Sequence, residues 1–442
     1  MMNRAASQPT WMIPFAGVVL GACVMTACSS DALHHGDKAT DAPRTVPPAE
    51  RLKRIADSLQ LPPVTPPEQG NVGAAVPQLY DPAKIVQVEL TLDDAAIAML
   101  SSAEVAAAKT WAHAKFKCGD VTFDDVGVRV KGTSTLRLYP GKAALKVKLN
   151  KWVKGQKLAG IDTLTLNNMM SDPTFLAERI TYHVFRSLGL HAPHANAAHV
   201  TINGQDYGLY ANIETPNESF LARELGGKGA SLYEVNWGSS WLPGDGGETG
   251  FEIDVPVPGA LPGTMPDVDQ LFQAVAAARD EKLLDDLAGH LHTKMWLRHS
   301  AAEAVTGHYD GYAYGLYGSH NYFMIGDVDG KFELAPWSTD LSLSNREGVP
   351  DAANPLGTTV FARCKRSTTC WDTYKAEVKS VLDVYETLDL VNLAKSWHQQ
   401  IDTLARSDPK RESGIDDYES VTEHLYEFLA TRPSVVRAQL GL

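Results

Sequence analysis

A change of hydrophobic periodicity near residue 219 constrains the fold more than any other feature of this sequence. Before it, short segments with a period of two residues surround one helical segment, which predicts a sheet with one inserted helix. The predicted strands cover residues 85–92, 114–118, 126–131, 145–149, 164–167, 199–202 and 207–214. Beyond it, the pattern is mostly helical and is interrupted by one hairpin at residues 321–335. This order predicts an α+β fold with a sheet-rich N-lobe and a helical C-lobe.

The inserted helix has recognisable ends. Asp172 suits its N-cap, Pro173 suits its first position and Gly189 suits its C-terminal end. A second helix is expected from a cap at Asp93 to about residue 109. The Asn-Gly pair that begins at residue 203 favours a tight hairpin turn between the last two strands.

The N-terminus has the layout of an export signal. Arg4 precedes an apolar run over residues 11–27, and Cys28 follows it at the position where a lipoprotein is cleaved and acylated. Residues 1–28 are therefore expected to be a lipoprotein signal peptide, and the Pro-rich residues 29–76 a linker. We expect an exported chain, lipid-anchored to the bacterial cell envelope on its periplasmic or outer side. A plain signal peptide with an incidental cysteine is the alternative.

Charge and cysteine content narrow the possible partners and the compartment. The chain has 40 Lys and Arg against 53 Asp and Glu, a net charge of −13, and no basic block, so no nucleic-acid partner is expected. Outside the signal region the cysteines are Cys118, Cys364 and Cys370. In an oxidising compartment we expect Cys364 and Cys370 to form a disulfide that closes a small loop.

Three polar residues flank the late hairpin. Asp310 follows a long predicted helix, Asn321 begins the first hairpin strand, and Asp340 follows the second. Side chains on loops that flank one hairpin can converge on one point. Hard oxygen ligands of this kind suit Mg²⁺ held together with phosphate oxygens, while one acid orients or deprotonates a hydroxyl.

Basic residues cluster on the middle strands of the predicted sheet. They are Arg129, Lys131, Lys142, Lys146 and Lys148. Glu178 lies on the helix that follows. A strand lysine that contacts phosphate and is held by a helix glutamate is the arrangement found in protein kinases.

With these residues in place, five segments of the chain resemble the spore coat protein H (CotH) kinase family, a group of atypical protein-kinase-like proteins. The segments are Val-Gly-Val-Arg-Val-Lys-Gly-Thr-Ser at 126–134, Lys-Ala-Ala-Leu-Lys-Val-Lys-Leu at 142–149, Leu-Thr-Leu-Asn at 164–167 with the helix at 172–189, residues 203–214, and residues 321–340. The resemblance extends from about residue 85 to the C-terminus.

The resemblance implies a kinase-like domain at residues 77–355 with a helical C-terminal extension at 356–442. It also implies binding of ATP with Mg²⁺ or Mn²⁺, and transfer of the γ-phosphate to Ser or Thr of a protein in the cell envelope or outside it. By this resemblance Asp310 is the catalytic acid, and Asn321 and Asp340 are metal ligands. The implied nucleotide-binding residues are Arg129, Lys142, Lys146, Lys148, Glu178 and Glu214, with the phosphate lysine being Lys146 or Lys148.

One departure from the family pattern keeps other functions open. The chain has Trp-Ser-Thr-Asp at residues 337–340, where the family has "WDLD", so Ser338 replaces an acid. A catalytically inactive surface binding or assembly protein with the same fold is one alternative. An AMP transferase on the same fold is another.

Overall fold

The computed structural model describes residues 79–442 apart from residues 227–228, 237, 239, 245–249, 317, 345–349 and 356–358. The predicted signal peptide, Cys28 and the linker at 29–76 lie outside the described residues. None of the helices in the described part is both long and apolar enough to cross a membrane.

Seven strands of the first half close into a barrel. The elements in chain order are β1 (Ile85–Thr91), α1 (Asp94–Leu100), α2 (Ala103–Ala107), β2 (Ala112–Cys118), β3 (Val121–Lys131), β4 (Ala144–Lys148), β5 (Thr163–Asn167), α3 (Ala177–Ser187), β6 (Ala195–Ile202) and β7 (Gln205–Glu214). Neighbouring strands pair in the order β1-β2-β3-β4-β5-β7-β6, and β1 closes the barrel by pairing in parallel with β6. The predicted sheet is thus confirmed, and it has no free edge.

The alternation of side chains along β3 and β4 places apolar residues in the barrel core and basic residues on its outer face. Val128 and Val147 point into the barrel core, where they are fully buried. Arg129 and Lys146 face each other across the strand pair on the outer surface, because successive residues of a strand point to opposite faces. The period-two pattern thereby places the basic residues on one outer face.

The helix predicted to begin at Pro173 begins four residues later, at Ala177. Phe175 has a φ of 60°, a left-handed conformation that a helix cannot contain. Leu176 is the N-cap residue and makes no side-chain capping bond, so the prediction of Asp172 as the N-cap was wrong. The Asp172 carboxylate instead accepts hydrogen bonds from the backbone N–H of Thr174 (3.0 Å) and of Ala177, the first helical residue (2.7 Å). Gly189, with a φ of 72°, follows the end of the helix as predicted.

The helix predicted at 93–109 is also divided. Asp93 caps α1 as expected, accepting from the backbone N–H of Ala96 (2.8 Å). Ser102 then begins the separate helix α2 by accepting from Val105 N–H. A serine side chain that bonds the backbone locally competes with helix continuation, which explains the break.

The second half is helical around a four-stranded sheet. Its elements are α4 (Glu218–Leu225), β8 (Ser231–Val235), β9 (Phe251–Val255), α5 (Pro266–Ala277), α6 (Leu283–Leu287), α7 (Thr293–Thr306), β10 (Tyr322–Gly326), β11 (Phe332–Pro336), α8 (Thr359–Arg366), α9 (Thr368–Thr387), α10 (Leu390–Ser407) and α11 (Ile415–Leu440). The predicted α+β class and the β10–β11 hairpin are confirmed. The prediction missed β8 and β9, which complete a sheet of order β11-β10-β8-β9. The strand β8 pairs with β10, far along the chain, and β9 joins the sheet only through β8.

The cysteine pairing is as predicted. Cys364 and Cys370 form a disulfide between α8 and the start of α9. Cys118, at the end of β2, is half-buried and unpaired among the described cysteines.

A buried ion pair joins the barrel to the last two helices. The ammonium of Lys142 contacts the carboxylate of Asp408, and both side chains are at most 2% exposed. The same carboxylate accepts a hydrogen bond from Leu209 N–H on β7 (2.9 Å). Burial lowers the pKa of Lys142, and the charge of Asp408 opposes this shift. Each charge therefore depends on the other to remain buried.

We expect the Lys142→Met variant to lose about 3–5 kcal/mol of unfolding free energy, because it leaves the Asp408 carboxylate buried without a cation. Urea unfolding followed by circular dichroism measures this loss. The control is Lys115→Met, which removes an exposed partner of Asp124 and should change stability by no more than about 0.5 kcal/mol. A loss in Lys142→Met no larger than that of the control would contradict the assigned role.

Candidate functional site

The site begins with a lysine that is linked to a buried glutamate through an asparagine. Lys131, the last residue of β3, donates from Nζ to Oδ1 of Asn167, the last residue of β5. The Asn167 amide in turn donates to Oε2 of Glu178 (2.7 Å) in the first turn of α3. Three elements thus converge here. They are the ends of two strands, at one end of the barrel, and the start of the helix α3.

Glu178 is fully buried, and its second oxygen, Oε1, accepts no hydrogen bond from the described residues. Burial, followed by the nearby charge of Asp340, raises the pKa of Glu178 to about 8. Burial also lowers the pKa of Lys131, against the attraction of Glu178 and Asp340. The geometry therefore concentrates one cation and two carboxyl groups in a poorly solvated space.

Asp340 is placed by a single 3-10 turn. This turn, Thr339–Leu341, follows β11 directly and packs against α3. Burial raises the pKa of the Asp340 carboxyl to about 6, and the positive charge of Lys131 opposes the shift. Ser338, immediately before the turn, has a left-handed φ of 47°. Trp337 lies under the Lys131 ammonium, 5.6 Å from Nζ to the ring centroid.

Asp310 is held in place by its neighbours on the segment that leads to β10. One carboxylate oxygen contacts His320 Nε2 (2.7 Å), and the other accepts from the Asn321 side-chain amide (2.8 Å). The same amide also donates to the Asp310 carbonyl (2.9 Å). Burial lowers the pKa of His320, but the hydrogen bond and charge of Asp310 outweigh it, so the pKa is raised. Asp310 is thus oriented by two side chains.

Asn321 is hydrogen-bonded to Asp310, and Asp340 lies within range of the Asp310 charge, while the catalytic and metal-binding roles of the three residues remain predictions. The Asp310 charge contributes to raising the pKa of Asp340, so the two carboxyl groups interact. A cavity of about 330 Å³ adjoins Asp340. Its lining includes residues from the segment that leads into α3, the segment after the 3-10 turn, and α11, among them Thr174, Ser342 and His424. Of the site residues described above, Asp340 is the one that lines this cavity.

The predicted nucleotide-binding residues fall into separate groups. Arg129 and Lys146 lie within range of the charges of Glu234, Glu252 and Asp254 on β8 and β9; Glu252 has the largest effect on Arg129 and Glu234 the largest on Lys146. Lys148 lies on the same face of β4 as Lys146. A nucleotide-binding role for these three residues remains a prediction. They lie on the strands beside Lys131, whose ammonium donates to Asn167.

Lys142 and Glu214 lie in other surroundings. Lys142 pairs with Asp408, as described above. Glu214 accepts two hydrogen bonds from the Arg223 guanidinium (2.9 and 2.6 Å) and one from the backbone N–H of His194 (3.0 Å). Both side chains are thus engaged in contacts that stabilise the fold, and a nucleotide-binding role for them remains a prediction.

Sequence reasoning did not select Lys131 as the phosphate lysine, and it did not consider Asn167. Lys131 shares the outer face with Arg129, two residues earlier on β3. A signal was available in its position at the strand end, directly before Gly132. For Asn167, the signal was a polar residue closing a buried strand just before the helix that carries Glu178.

The donor set is suited to a divalent metal that arrives with a phosphate group. Within the described ranges, no three His, Cys, Asp or Glu side chains are grouped so that they could hold a metal ion alone. Asp340 and Asn321 nevertheless offer hard oxygens, and no donor among the residues that the structure describes reaches the buried Glu178 Oε1 atom. Mg²⁺ is typically bound by one or two protein oxygens completed by phosphate and water, so these residues fit such a metal.

Comparison with known proteins gives a family match over most of the chain. The family model described as CotH kinase protein matches residues 128–436. Inner spore coat protein H of Bacillus subtilis (strain 168) is 22% identical over 302 residues, covering 64% of this chain and 80% of that protein. The inner spore coat protein H-like protein of the same organism is 24% identical over 294 residues, covering 66% of this chain and 84% of that protein.

Among solved structures, a crystal structure of the Helicobacter pylori proinflammatory kinase CtkA is similar at 11% identity and a TM-score of 0.31, covering 67% of this chain and 94% of that chain. A similarity at this level carries no argument about function or fold.

Glu178 should make stability dependent on pH. Its pKa is about 8 in the folded chain against about 4.3 in an unfolded one, so between these values the folded state binds more protons. Stability contributed by this group is therefore present at low pH and is lost as pH rises towards 8. We expect the melting temperature of Glu178→Gln, relative to the wild type, to be higher at pH 8 than at pH 5 by about 3 °C or more.

Thermal unfolding in EDTA across pH 5–8 tests this expectation. Glu89→Gln, on the exposed face of β1, is the matched control and should follow the wild-type curve. A difference between Glu178→Gln and wild type that stays constant with pH would show that the carboxyl is ionised throughout.

Proposed function

The chain belongs to the CotH kinase protein family, and from this premise we propose that it is a protein kinase that transfers the γ-phosphate of ATP to Ser or Thr of a protein. The observation that carries the proposal is the Lys131–Asn167–Glu178 link beside Asp340 and the Asp310–Asn321 pair. Phosphoryl transfer requires positioned cations, oxygen ligands for metal and a base for the acceptor hydroxyl. The site contains a candidate for each.

Lys131 is the proposed phosphate-binding lysine. Its link to Glu178 through the Asn167 amide limits its motion, as the direct lysine–glutamate pair does in ordinary protein kinases. Arg129 and Lys146 share its face of the barrel and supply further positive charge for the triphosphate. An incoming triphosphate would relieve the burial cost of the Lys131 charge, because it brings negative charge into a poorly solvated space.

Asn321 and Asp340 are the proposed ligands for Mg²⁺ or Mn²⁺. Either ion, when bound, neutralises charge on the phosphate oxygens. The Asp340 carboxyl must be ionised to act as a ligand, and its pKa of about 6 allows this at neutral pH. Its position on the 3-10 turn packed against α3 holds it near Lys131.

Asp310 is the proposed base for the acceptor hydroxyl. The hydrogen bonds from Asn321 and the contact with His320 orient its carboxylate before any substrate enters. A carboxylate held in this way can orient a hydroxyl and accept its proton as the phosphoryl group transfers. The cavity beside Asp340 is the proposed approach for the acceptor side chain.

Experiment can distinguish two alternative functions from the proposed protein phosphorylation. Ser338 occupies a position where the family has an acid, which favours a non-catalytic binding or assembly protein. AMP transfer from the same nucleotide would use the same lysines but a different phosphate.

We also propose that the chain is exported and lipid-anchored through Cys28, with its protein substrate in the cell envelope or outside the cell. The support is the signal-like sequence at residues 1–28 and the Cys364–Cys370 disulfide, which is typical of oxidising compartments.

Incubation of the purified chain with labelled ATP and Mg²⁺ or Mn²⁺ tests the proposed reaction. We expect label from γ-labelled ATP only, on the chain itself or on an added envelope protein fraction. Asp310→Asn, Asp340→Asn and Lys131→Met should each reduce transfer about 100-fold or more, because each removes a proposed base, ligand or phosphate contact.

The control Lys115→Met removes an exposed lysine of β2 and should retain full activity. Label from α-labelled ATP would identify a nucleotide transferase. Absence of label together with absence of any ATP-induced thermal shift would support the non-catalytic function. If Lys146→Met loses more activity than Lys131→Met, the phosphate-binding lysine is Lys146 on β4 and the assignment of Lys131 is wrong.

A further inference from the structure

The loop between β3 and β4 contacts the segment between the last two helices at several points. This loop, residues 132–143, begins directly after Lys131, and we call it the β3–β4 loop. The contacting segment, residues 408–412, connects α10 and α11, and we call it the C-terminal clasp. The two are separated by about 270 residues in sequence, so only the tertiary structure brings them together.

The outer contact is a two-fold hydrogen-bonded ion pair. Arg137 donates from Nε to one oxygen of Glu412 (2.6 Å) and from Nη2 to the other (2.9 Å). The hydrogen bond with Glu412 raises the pKa of Arg137, and it lowers that of Glu412. A guanidinium that binds a carboxylate through two parallel bonds fixes orientation as well as distance.

The middle contact uses the backbone of the loop. Lys410 donates from Nζ to the carbonyl oxygen of Pro140 (3.0 Å). The same ammonium lies 5.0 Å from the centroid of the Tyr207 ring on β7. This lysine therefore joins the loop to the barrel wall behind it.

The inner contact is the buried Lys142–Asp408 pair at the end of the loop. Gly208 on β7 has a φ of 85°, and a Cβ at this position would lie 2.1 Å from the Asp408 carboxylate. The glycine thus permits a close approach that any side chain would block. Asp408 also accepts from Lys410 N–H (2.8 Å), which shapes the clasp itself.

The opposite side of the loop is bonded to the candidate site. Asn168 donates from its side-chain amide to the carbonyl oxygens of Thr135 (3.2 Å) and Lys142 (2.8 Å). Its neighbour in the chain, Asn167, links Lys131 to Glu178. The β3–β4 loop is therefore held between the clasp and two consecutive asparagines, one of which belongs to the site.

The free part of the loop is the part nearest Lys131. Gly132, Thr133 and Ser134 are exposed, whereas residues 135–139 are half-buried and residues 142–143 are buried. An exposed turn of small residues offers backbone N–H groups and hydroxyls, which are the groups that contact phosphate in nucleotide-binding loops.

We propose that the C-terminal clasp is a positioning device for nucleotide binding, which holds the β3–β4 loop so that residues 132–134 stay beside Lys131. The inference rests on the proposed ATP-binding function. Arg137, Lys410 and Glu412 act here as positioning residues, through the loop, and contact no substrate. Affinity for ATP then depends on a segment near the C-terminal end of the chain, while the chemistry at Asp310 does not.

Charge reversal of the outer pair tests this proposal. In Arg137→Glu and in Glu412→Arg the two side chains repel each other, and the loop loses one anchor. We expect amide hydrogen exchange of residues 132–143 to accelerate, and the KM for ATP to rise about three- to tenfold with kcat nearly unchanged. The double variant, which restores opposite charges, should recover both values.

The matched control is a second Arg–Glu pair, which joins α11 to α9. Arg437 donates to the two Glu386 oxygens (2.6 and 3.1 Å), and this pair is exposed to a similar degree, 31% and 33% against 37% and 43%. It does not contact the barrel. Arg437→Glu should leave both loop exchange and the KM for ATP unchanged.

Hydrogen exchange and ATP kinetics separate this inference from the proposed function. If amide exchange of residues 132–143 is unchanged in both single charge reversals, the C-terminal clasp does not hold the β3–β4 loop, whatever the ATP kinetics. Accelerated exchange with an unchanged KM would overturn its role in nucleotide binding. A wild-type chain that neither binds nor uses ATP would instead overturn the proposed function. Hydrogen exchange of the loop would then still test whether the C-terminal clasp holds it, independently of nucleotide binding.

Discussion

The alternation of side chains along β3 is the constraint on which the rest of the site depends. Its valines must enter the barrel core, so Arg129 and Lys131 must face outward. The pairing of both β3 and β5 with β4, which lies between them, then fixes β3 relative to β5, and the end of β5 brings Asn167 to the Lys131 ammonium. Because the apolar face is deeply buried, a one-residue shift in register would expose the core and is therefore strongly opposed.

Two lysines at the ends of barrel strands lie near carboxyl groups in different ways: Lys142 is buried, whereas Lys131 is half-buried. Lys142 contacts Asp408 directly, and that carboxylate also accepts from backbone N–H groups of β7 and of the C-terminal clasp. Lys131 is linked to Glu178 through the Asn167 amide, and one oxygen of Glu178 accepts no hydrogen bond within the described part of the chain. The first pair is fully satisfied and suits a structural role. The second leaves hydrogen-bonding and charge capacity for a ligand.

The sequence predicted that Asp310, Asn321 and Asp340 converge because they flank one hairpin; the structure bonds Asn321 to Asp310 and places Asp340 within range of the Asp310 charge, and their roles remain predictions. Local sequence defines that hairpin, and its closure brings its flanking residues together. The roles of Lys146 and Lys148 as phosphate lysines remain predictions; the structure adds Lys131, whose link to Glu178 depends on where α3 packs. The strands β8 and β9 were missed because β8 pairs with β10, which is distant in sequence, and β9 is held in the sheet through β8.

The sequence by itself determined the α+β class, the hairpins, the family and the disulfide partners, since these depend on local periodicity, turn residues and short motifs. Tertiary structure decided that the sheet closes into a barrel, that Lys131 is the lysine linked to Glu178, and that the C-terminal clasp contacts the β3–β4 loop. It also shifted the start of α3 through the left-handed Phe175. Each of these depends on contacts between residues far apart in the chain, and local sequence patterns do not encode such distances.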